Sequence, residues 1–490
     1  MVINGERVDA DNNRRLEAIN PYTGQAFGTI PDASAADVDT AIAAARHAFD
    51  NGWRATSGLN RSRLLLRLAD LLDARAPELG LLESHDNGKL LRETEGQAHA
   101  AARTYRFFAG YADKLYGRTI PLDSPDKFDY TLREPVGVAA LITAWNSPLQ
   151  LLANKLAPAL AAGNTVVVKP SEHASASTLL FADLVEEAGF PPGVVNIISG
   201  GIESGVAISK HRGIDCISFT GSVPTGQAIA AAASSTLVPV TLELGGKSPN
   251  IIFDDADLDR AIVGGLSGIF AAGGQTCVAG SRLLVQRSIY DRVVDELARR
   301  AARIRLGDPT KAGTQMGPVA NGPQFERITR IIEAAQNDGA RMVAGAQALA
   351  DAELTNGLFV QPTIFADVDN NSALAREEIF GPVLSIIPFE DESEAVTIAN
   401  DTEFGLAAGL WTNNLARAHR VADKLNCGTV WINTFRIAAA QTPTGGVGKS
   451  GYGRERGLEG LDAYLRTKNV MIDLSDETTD HFPMDDAVDA

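Results

Sequence analysis

The side chains with the clearest chemical potential in this sequence are a cysteine and a glutamate beside glycine-rich turns. Cys277 ends the segment GGQTC, and Glu243 stands 34 residues earlier in LELGGKSP. A thiol can act as a nucleophile and a carboxylate as a general base. A lone cysteine in an apolar segment is usually an inert hydrophobe, which we expect of Cys216 and Cys427. The cysteines are too widely spaced for a disulfide framework, and no CxxC pair predicts a metal site.

A glycine-rich turn is a candidate phosphate site. The segment CISFTGSVPTGQAIAAAAS has the pattern of a strand, a turn and a helix, with Gly221 and Gly226 five residues apart. The free N–H groups at the start of such a helix can bind a pyrophosphate. Because the GxGxxG spacing is absent, an ordinary turn also explains the pattern.

Two other segments carry charges where nucleotides could bind. In TVVVKPSEH a strand ends at Lys169 and Glu172 follows three residues later, which indicates either a charged strand end or contacts to a dinucleotide ribose. The segment PTGGVGKS is one residue short of a P-loop, has Pro443 in place of the first glycine, and follows no apolar strand. We therefore predict no NTP-binding P-loop there.

Six motifs in order resemble the aldehyde dehydrogenase superfamily over nearly the whole chain, roughly from Asn20 to Leu474. The resemblance implies oxidation of an aldehyde to the carboxylic acid with NAD(P)⁺, and it favours catalytic roles for Cys277 and Glu243. Besides the segments around these two residues, the motifs are AWN at 144–146, VVKPSE at 167–172, FTGS at 219–222 and EEIFGPV at 377–383.

The resemblance assigns the catalytic steps to three residues. Cys277 would add to the carbonyl carbon to give a thiohemiacetal, whose oxyanion the Asn146 amide and the Cys277 backbone N–H would stabilise. Hydride transfer would leave a thioester, and Glu243 would activate the water that hydrolyses it. This chemistry needs no metal.

The cofactor contacts implied by the resemblance come from the same motifs. We expect NAD to be preferred over NADP, because the Glu172 carboxylate can accept hydrogen bonds from a free 2′-hydroxyl and repels a 2′-phosphate. Lys169 beside it would still allow some use of NADP. The implied contacts are Trp145, Lys169 and Glu172 with the adenosine half, Gly221, Ser222 and Gly226 with the pyrophosphate, Glu378 with the nicotinamide ribose, and Phe380 beside the nicotinamide ring.

Three positions that are aromatic in many relatives predict the substrate class. They are Ser147, Asn154 and Thr444 in this chain. A pocket without aromatic walls gains less from apolar burial, and a hydrocarbon substrate would leave its polar groups unpaired. The hypothesis is an aldehyde with polar substituents, such as hydroxy, amido or ring-heteroatom groups. Ala144 and Lys449 also depart from the family pattern but leave the catalytic set intact.

The elements that must position these residues alternate between strands and helices. From VGVAALIT to PVTLEL, five apolar runs alternate with helical segments, and a second series runs from NIIFDD to TVWIN. This alternation predicts parallel sheets in two doubly wound α/β domains. The first 130 residues are predicted to be mostly helical, with a capping box from Ser34 to Asp37 and a half-exposed strand at 128–133.

By resemblance the chain divides into three parts. We expect a Rossmann-like dinucleotide-binding domain over 1–114 and 136–245, a catalytic domain over 246–447, and an oligomerisation segment with a C-terminal tail over 115–135 and 465–490. In the oligomerisation segment, FDYTLRE would pair with the strand near TKNVMIDLS. Such a small sheet presents open edges, so a homodimer or homotetramer is expected.

Charge and hydropathy narrow the partners and the location. The 490 residues carry 44 Lys+Arg against 61 Asp+Glu, a net charge of -17, and the acidic run at 473–490 is interpreted as a solvated tail. This balance argues against nucleic acid and anionic membranes. Polar residues and glycines interrupt the uncharged stretches at 135–154 and 261–281, and the N-terminus lacks an apolar core. We therefore expect no transmembrane helix, no signal peptide and a cytoplasmic location.

Two alternatives remain open from the sequence. A CoA-acylating semialdehyde dehydrogenase would transfer the acyl group to CoA, but relatives of that type commonly lack the base, so Glu243 argues against it. A non-catalytic protein that retains the fold is disfavoured by the intact set of Cys277, Asn146 and Glu243.

Overall fold

The computed structural model describes residues 1–345, 352–476 and 481–482, so most of the predicted acidic tail lies outside the described residues. The strands are β1 Val2–Ile3, β2 Glu6–Arg7, β3 Arg15–Asn20, β4 Gln25–Pro31, β5 Thr119–Ile120, β6 Lys127–Pro135, β7 Val138–Thr143, β8 Thr165–Pro170, β9 Val195–Ile197, β10 Cys216–Thr220, β11 Val240–Glu243, β12 Pro249–Ile252, β13 Arg282–Gln286, β14 Arg341–Ala344, β15 Thr363–Ala366, β16 Val383–Phe389, β17 Ala407–Trp411, β18 Thr429–Ile432, β19 Gly451–Tyr452 and β20 Leu465–Asp473. The helices are α1 Ala35–Asp50, α2 Gly58–Ala74, α3 Ala76–Asn87, α4 Leu91–Ala109, α5 Pro148–Ala162, α6 Ala176–Ala188, α7 Ile202–Lys210, α8 Val223–Ser234, α9 Leu258–Phe270, α10 Tyr290–Ala301, α11 Gly322–Asn337, α12 Ala373–Arg376, α13 Glu392–Asn400, α14 Leu415–Lys424 and α15 Glu459–Asp462.

The first sheet has eight strands in the order β19-β11-β10-β7-β8-β9-β1-β2. The five strands from β11 to β9 are parallel, and the short edge strands pair antiparallel. Successive side chains of β7 enter different cores: Ala139 and Leu141 pack with residues of α2, α4, α5 and α6, whereas Ala140 and Ile142 pack with residues of α1, α7 and α8. Helices therefore cover both faces, which confirms the doubly wound prediction.

The second sheet has seven strands in the order β14-β15-β16-β13-β12-β17-β18. All neighbours are parallel except β14, which pairs antiparallel with β15. Leu283 and Leu284, adjacent on β13, belong to separate hydrophobic clusters on opposite faces. The predicted series from NIIFDD to TVWIN is confirmed, with β14 and β15 as additional strands.

The N-terminal region differs from the mostly helical prediction. Before α1 the chain forms strands, of which β1 pairs with the distant β9 and β3 forms a two-stranded sheet with β4. These strands are either two residues long or mostly exposed, so strand pairing decides their conformation rather than an apolar pattern in the sequence. The helices that follow agree with the prediction, and the Ser34 and Asp37 side chains form the expected capping box.

A third sheet joins two segments that lie far apart in the sequence. β20 and β6 pair antiparallel over nine residues each, from Leu465 opposite Pro135 to Asp473 opposite Lys127, and β5 adds at the other edge. This confirms the predicted pairing of FDYTLRE with the C-terminal strand. β20 is an edge strand, and its Met471 side chain is 67% exposed.

The two uncharged stretches of the sequence form interior elements of the α/β layers. The first contributes β7 and the start of α5, which is buried along nearly its whole length, and the second contributes α9. Among the helices that the structure describes, none has both the length and the apolar character needed to cross a membrane.

Candidate active site

Cys277 follows a turn whose backbone is left-handed at three successive residues. After α9, Ala272, Gly273 and Gly274 have φ values of 55°, 60° and 71°. Glycine adopts this conformation at little steric cost, and at Gly274 a Cβ atom would lie 2.1 Å from the backbone oxygen of Gly381. The glycines of GGQTC are therefore required by the sharp turn that precedes the cysteine.

The thiol of Cys277 is protonated at rest. Burial, followed by the charges of Glu243 and Glu378, raises its pKa to about 12. Burial also raises the pKa of Cys216, a core residue of β10, and it raises the pKa of Cys427 to about 11. A buried thiol of this kind needs a neighbouring base to accept its proton before it can attack a carbonyl carbon.

Asn146 lies beside the cysteine turn. It follows the carboxyl end of β7, and its Nδ2 atom donates a hydrogen bond to the backbone oxygen of Gln275 at 3.0 Å, two residues before Cys277. A primary amide has two N–H groups. One holds the turn in place, and the second is left to donate to an oxyanion formed on the cysteine.

Glu243 ends β11 and is buried. The parallel register places it beside Thr220, the last residue of β10. Its Oε1 atom has no hydrogen-bond partner among the described residues. Burial, followed by the charge of Glu455, raises the pKa of Glu243 well above its usual value. A buried carboxyl with an elevated pKa and a free oxygen suits a general base that works near neutral pH.

A buried ion pair that was not among the predicted site residues supports this region. Lys155 of α5 pairs with Glu455, and the Lys155 ammonium also donates to the Ser218 hydroxyl at 3.1 Å. The positive charge of Lys155 opposes the effect of Glu455 on the pKa of Glu243. The pair therefore sets the electrostatic environment of the candidate base without contacting it through a hydrogen bond.

The rings of Trp145 and Phe380 meet edge to face, with centroids 5.2 Å apart. Near them, the Glu378 carboxylate accepts a hydrogen bond from the Gly246 N–H at 3.0 Å, and burial raises its pKa to about 7. The structure thus places Trp145 against Phe380, which we expect beside the nicotinamide, whereas the sequence analysis grouped Trp145 with the adenosine contacts.

The turn after β10, our candidate phosphate site, leads directly into α8. The Ser222 side chain caps α8 by accepting a hydrogen bond from the backbone N–H of Thr225. A Cβ atom at Gly226 would lie 2.6 Å from the Leu244 side chain, and one at Gly221 would lie 2.4 Å from the Phe219 ring. Both glycines permit close packing, which brings the N-terminus of α8 to the carboxyl end of the sheet.

Lys169 and Glu172 form a separate pair at the end of β8. The Lys169 ammonium lies 3.9 Å from the Glu172 carboxylate, with side-chain exposures of 6% and 32%. Burial lowers the pKa of Lys169, and Glu172 opposes that shift. The partly exposed carboxylate is placed to meet a ribose hydroxyl at the sheet edge where nucleotides bind in such folds.

The predicted pocket residues are bonded to cations that the sequence analysis did not select. Ser147 accepts hydrogen bonds from the Lys89 ammonium at 2.8 Å and from the Gln97 amide at 3.3 Å. Asn154 accepts one from the Arg456 guanidinium at 3.1 Å. No local motif marks Lys89, because its partners lie on other segments of the chain.

Thr444 reaches the same region through its backbone. Its N–H and C=O groups exchange hydrogen bonds with those of Glu455, both at 2.8 Å. This bridge places Thr444 next to the segment that carries Arg456. All three predicted pocket residues therefore connect to one polar, buried region.

Comparison with known proteins identifies the family to which this arrangement is similar. The model of the aldehyde dehydrogenase family matches residues 8–470. A betaine aldehyde dehydrogenase of Bacillus subtilis is 42% identical over 472 residues, which is 96% of this chain and 96% of the relative. A (Z)-2-((N-methylformamido)methylene)-5-hydroxybutyrolactone dehydrogenase of Acinetobacter baylyi is 44% identical over 474 residues, again 96% of each chain.

Solved structures give the same result. The crystal structure of a betaine aldehyde dehydrogenase from Staphylococcus aureus in complex with NAD⁺ is 39% identical, has a TM-score of 0.97, and covers 99% of this chain and 96% of that chain. Another structure of the same enzyme contains NAD⁺ and a BME-modified cysteine, with a TM-score of 0.97.

Proposed function

Because the chain belongs to the aldehyde dehydrogenase family, whose reaction is the oxidation of an aldehyde to the acid with NAD(P)⁺ through a cysteine, we propose that Cys277, Asn146 and Glu243 carry out that reaction here. The observation that carries this assignment is their convergence. Asn146 binds the turn before Cys277, and Glu243 is the charged group that acts most strongly on its thiol.

The first step is addition of the Cys277 sulfur to the aldehyde carbon. Since burial keeps the thiol protonated, Glu243 accepts the thiol proton as the bond forms. The oxyanion of the resulting thiohemiacetal receives hydrogen bonds from the free N–H of Asn146 and from the Cys277 backbone N–H. One donor of this kind contributes about 3–4 kcal/mol to lowering the barrier.

The second half of the reaction returns Cys277 to its free form. Bound NAD⁺ supplies the hydride acceptor, and the acyl group then remains on Cys277 as a thioester. Glu243 first passes the thiol proton to solvent, which makes it a base again. It then takes a proton from a water molecule that attacks the thioester carbon. The C–S bond breaks, the acid leaves, and the Cys277 sulfur regains a proton from Glu243. The elevated pKa of Glu243 supports this role, because a carboxylate with a raised pKa is a stronger base than one with the usual pKa.

The described residues fit a dinucleotide. We assign Gly221, Ser222 and Gly226 to the pyrophosphate, since the packing of both glycines exposes the N-terminus of α8. We assign Lys169 and Glu172 to the adenosine ribose, which supports a preference for NAD with some use of NADP. At the other end Trp145 joins Glu378 and Phe380 around the nicotinamide ribose and ring.

The substrate that we propose is an aldehyde with polar substituents. Ser147 and Asn154 are buried and hydrogen-bonded to charged side chains, so a plain hydrocarbon would meet polar groups already held in place. We expect kcat/KM for aldehydes with hydroxy, amido or ring-heteroatom groups to exceed that for hexanal and benzaldehyde. A clear preference for the two apolar aldehydes would contradict this part of the proposal.

The proposed assembly uses the third sheet. We retain 1–114 with 136–245 as the dinucleotide-binding domain, 246–447 as the catalytic domain, and 115–135 with 465–490 as the oligomerisation segment. The open edge of β20 and the exposed apolar side chains of the sheet, including Phe128 and Met471, support a homodimer or homotetramer. We propose a cytoplasmic location because three unpaired cysteines suit a reducing compartment.

The direct test is spectrophotometric. The purified protein is mixed with NAD⁺ and a panel of aldehydes, and NADH formation is followed by its absorbance. We expect turnover with at least one polar aldehyde. Absence of NADH with every aldehyde in a broad panel would refute the proposal, and formation of acyl-CoA on addition of CoA would support the CoA-acylating alternative instead.

A further inference from the structure

Three cations near the predicted active site, one buried and two half-buried, have no role in the steps above. They are Lys89, Arg436 and Arg456, here called the cationic cluster. A negative charge on Cys277 raises the pKa of each of them, so all three lie within electrostatic reach of the reacting sulfur. Their hydrogen-bond partners among the described residues are a hydroxyl, two side-chain amide oxygens and two backbone oxygens.

Arg456 faces the site from the segment after β19. Its Nε atom donates to the Asn154 oxygen at 3.1 Å, and the adjacent Glu455 is occupied by Lys155. Burial lowers the pKa of Arg456, yet an arginine starts so high that it remains charged. Its guanidinium is therefore a half-buried charge whose hydrogen-bond partner is a neutral amide, while Glu455 and Glu243 act on it electrostatically.

Arg436 lies on a different segment, the one that follows β18. Its Nη1 atom donates to the backbone oxygens of Ser267 at 3.2 Å and Ala271 at 3.1 Å, which holds the guanidinium against the end of α9. Its φ of 63° places it in the left-handed region, which is uncommon for a residue with a side chain. The remaining N–H groups of Arg436 have no described partner.

Lys89, the third cation of the cluster, contacts the predicted pocket residue Ser147. Its ammonium donates to the Ser147 hydroxyl at 2.8 Å and to the Gln97 amide oxygen at 3.1 Å. Burial lowers its pKa to about 8, while Glu93 and Glu83 oppose the shift. Lys89 thus connects the cationic cluster to the residue that directly follows Asn146.

The acidic groups near the cluster do not neutralise it. Glu93 acts on both Lys89 and Arg436, and its Oε1 atom accepts a hydrogen bond from the Ala272 N–H at 3.2 Å. Burial raises the pKa of Glu83 to about 7 and that of Glu243 well above its usual value. Glu455 also acts on Arg456 but pairs with Lys155, so none of the three cations has a carboxylate as its own hydrogen-bond partner among the described residues.

We propose that the cationic cluster binds a carboxylate carried by the aldehyde at the end away from its carbonyl group, so that the enzyme is selective for anionic aldehydes. A guanidinium offers paired N–H donors whose geometry matches a carboxylate. This inference rests on the proposed function of Cys277, because the cluster defines a substrate site only if the aldehyde reacts there.

The main alternative is that the cluster serves the thiol. Arg456 lowers the pKa of Cys277, so the cations could promote ionisation of the sulfur or stabilise the oxyanion. That role would help every aldehyde equally. Binding of a substrate carboxylate would help only the anionic aldehydes, and this difference separates the two explanations.

The first experiment compares three small aldehydes with the unmodified enzyme and NAD⁺: succinic semialdehyde, butanal and betaine aldehyde. They carry a negative charge, no charge and a positive charge. We expect kcat/KM to be about 10- to 100-fold higher for succinic semialdehyde than for butanal, the range for one or two charged hydrogen bonds. Betaine aldehyde should be the poorest substrate, and added salt should reduce the differences.

The second experiment measures the ratio of kcat/KM for succinic semialdehyde to that for butanal in Arg456→Gln and Arg436→Gln. We expect each substitution to lower this ratio by about 10-fold or more, mainly through KM for the anionic aldehyde. Arg436→Lys should retain part of the selectivity because it keeps the charge. Arg287→Gln is the matched control, since Arg287 is exposed and paired with Glu390, and its ratio should equal that of the unmodified enzyme.

The outcomes distinguish this inference from the proposed function. NADH formation with butanal or betaine aldehyde at an efficiency equal to or above that with succinic semialdehyde overturns the inference and leaves the proposed function standing. An equal loss for all three aldehydes in both arginine variants also overturns it, in favour of a role at the thiol. Absence of NADH with any aldehyde overturns both.

Discussion

Cys277 has two groups of charged neighbours with opposite signs. Glu243 and Glu378 form the acidic group, here called the acidic side, and the cationic cluster forms the other, here called the cationic side. Burial shifts the pKa of every one of these groups toward the neutral form. The results differ because burial raises the pKa of a carboxyl group, to about 7 for Glu378, whereas an arginine has a pKa so far above neutral that it stays charged after burial lowers it.

This difference in protonation explains how one site can combine proton transfer with recognition of a charged substrate. A carboxyl group whose pKa is raised, such as Glu243, can exchange protons with a thiol and with water during the reaction. A guanidinium cannot exchange protons at these pH values but provides a fixed positive charge for recognition. The comparison therefore predicts that changes on the acidic side affect the catalytic steps, while changes on the cationic side affect the choice of substrate.

The largest effect on activity is expected from loss of the Cys277 sulfur. Cys277→Ala removes the nucleophile, so aldehyde oxidation should fall by at least about 10⁴-fold. NAD⁺ binding, measured by fluorescence quenching or calorimetry, should persist because the proposed cofactor residues are unchanged. Cys216→Ala is the matched control, since that thiol lies in the core of the first sheet. Substantial turnover by Cys277→Ala would refute the assignment.

The acidic side should show its role in hydrolysis of the thioester. Glu243→Gln should lower steady-state turnover by about 10²- to 10⁴-fold, the range for loss of a general base. If another base or a hydroxide ion can remove the thiol proton, the variant forms up to one NADH per site and then stalls at the thioester. Rapid mixing with mass spectrometry of the protein would detect the trapped acyl group. Turnover at the unmodified rate would exclude Glu243 as the base.

The buried ion pair between Lys155 and Glu455 should contribute to the stability of the fold. Lys155→Met leaves Glu455 as an unpaired buried charge, and loss of one partner of such a pair costs about 3–5 kcal/mol of unfolding free energy. Denaturant titration followed by tryptophan fluorescence measures the change. The control Lys449→Met breaks an exposed pair with Glu403 and should cost far less. Equal effects of the two substitutions would show that the buried pair is not specially important.

The pH dependence of kcat and that of substrate selectivity should differ, because they depend on different charged groups. Glu243 has a raised pKa, so it is protonated at lower pH and becomes an effective base only as the pH increases through that value. Where hydrolysis limits turnover, kcat should therefore rise about 10-fold per pH unit below the pKa of Glu243 and then level off. Glu378, with a pKa of about 7, gains charge over neutral pH, so selectivity for anionic aldehydes should weaken there. A selectivity that increases with pH would contradict this comparison.

The smallest effect is expected for Glu172, the residue that we assign to the adenosine ribose of the cofactor. Glu172→Gln removes a negative charge that repels a 2′-phosphate but keeps a hydrogen-bond acceptor. The ratio of kcat/KM for NAD to that for NADP should fall by about threefold to tenfold. Parallel assays with the two cofactors and one aldehyde measure the ratio. A higher efficiency with NADP in the unmodified enzyme would reject the role of Glu172.

Much of the fold could be predicted because its signals are local. Apolar runs separated by helical patterns identified the central strands of both large sheets, and the Ser34 capping box located the start of α1. The strands β1 to β4 and the strands β14 and β15 were missed, since their conformation depends on pairing with neighbours rather than on their own alternation.

The candidate site likewise contains residues that local motifs predict and contacts that they do not. Cys277, Glu243 and the turn from Gly221 to Gly226 stand in compact motifs, so their residue types and order were sufficient to select them. The sequence grouped Trp145 with the adenosine contacts, and its packing against Phe380 is a contact between segments more than 200 residues apart, by their numbering. Such a contact has no local sequence pattern.

The sequence by itself determined the family, the nucleophile, the base and the polar character of Ser147, Asn154 and Thr444. Only the tertiary structure decided what surrounds them. It brings the cationic cluster to the pocket from three separate segments and buries Lys155 with Glu455, although the partners are 300 residues apart. The physical reason is that a charge affects its neighbours through distance in space and through burial, and neither quantity is encoded at any single position along the chain.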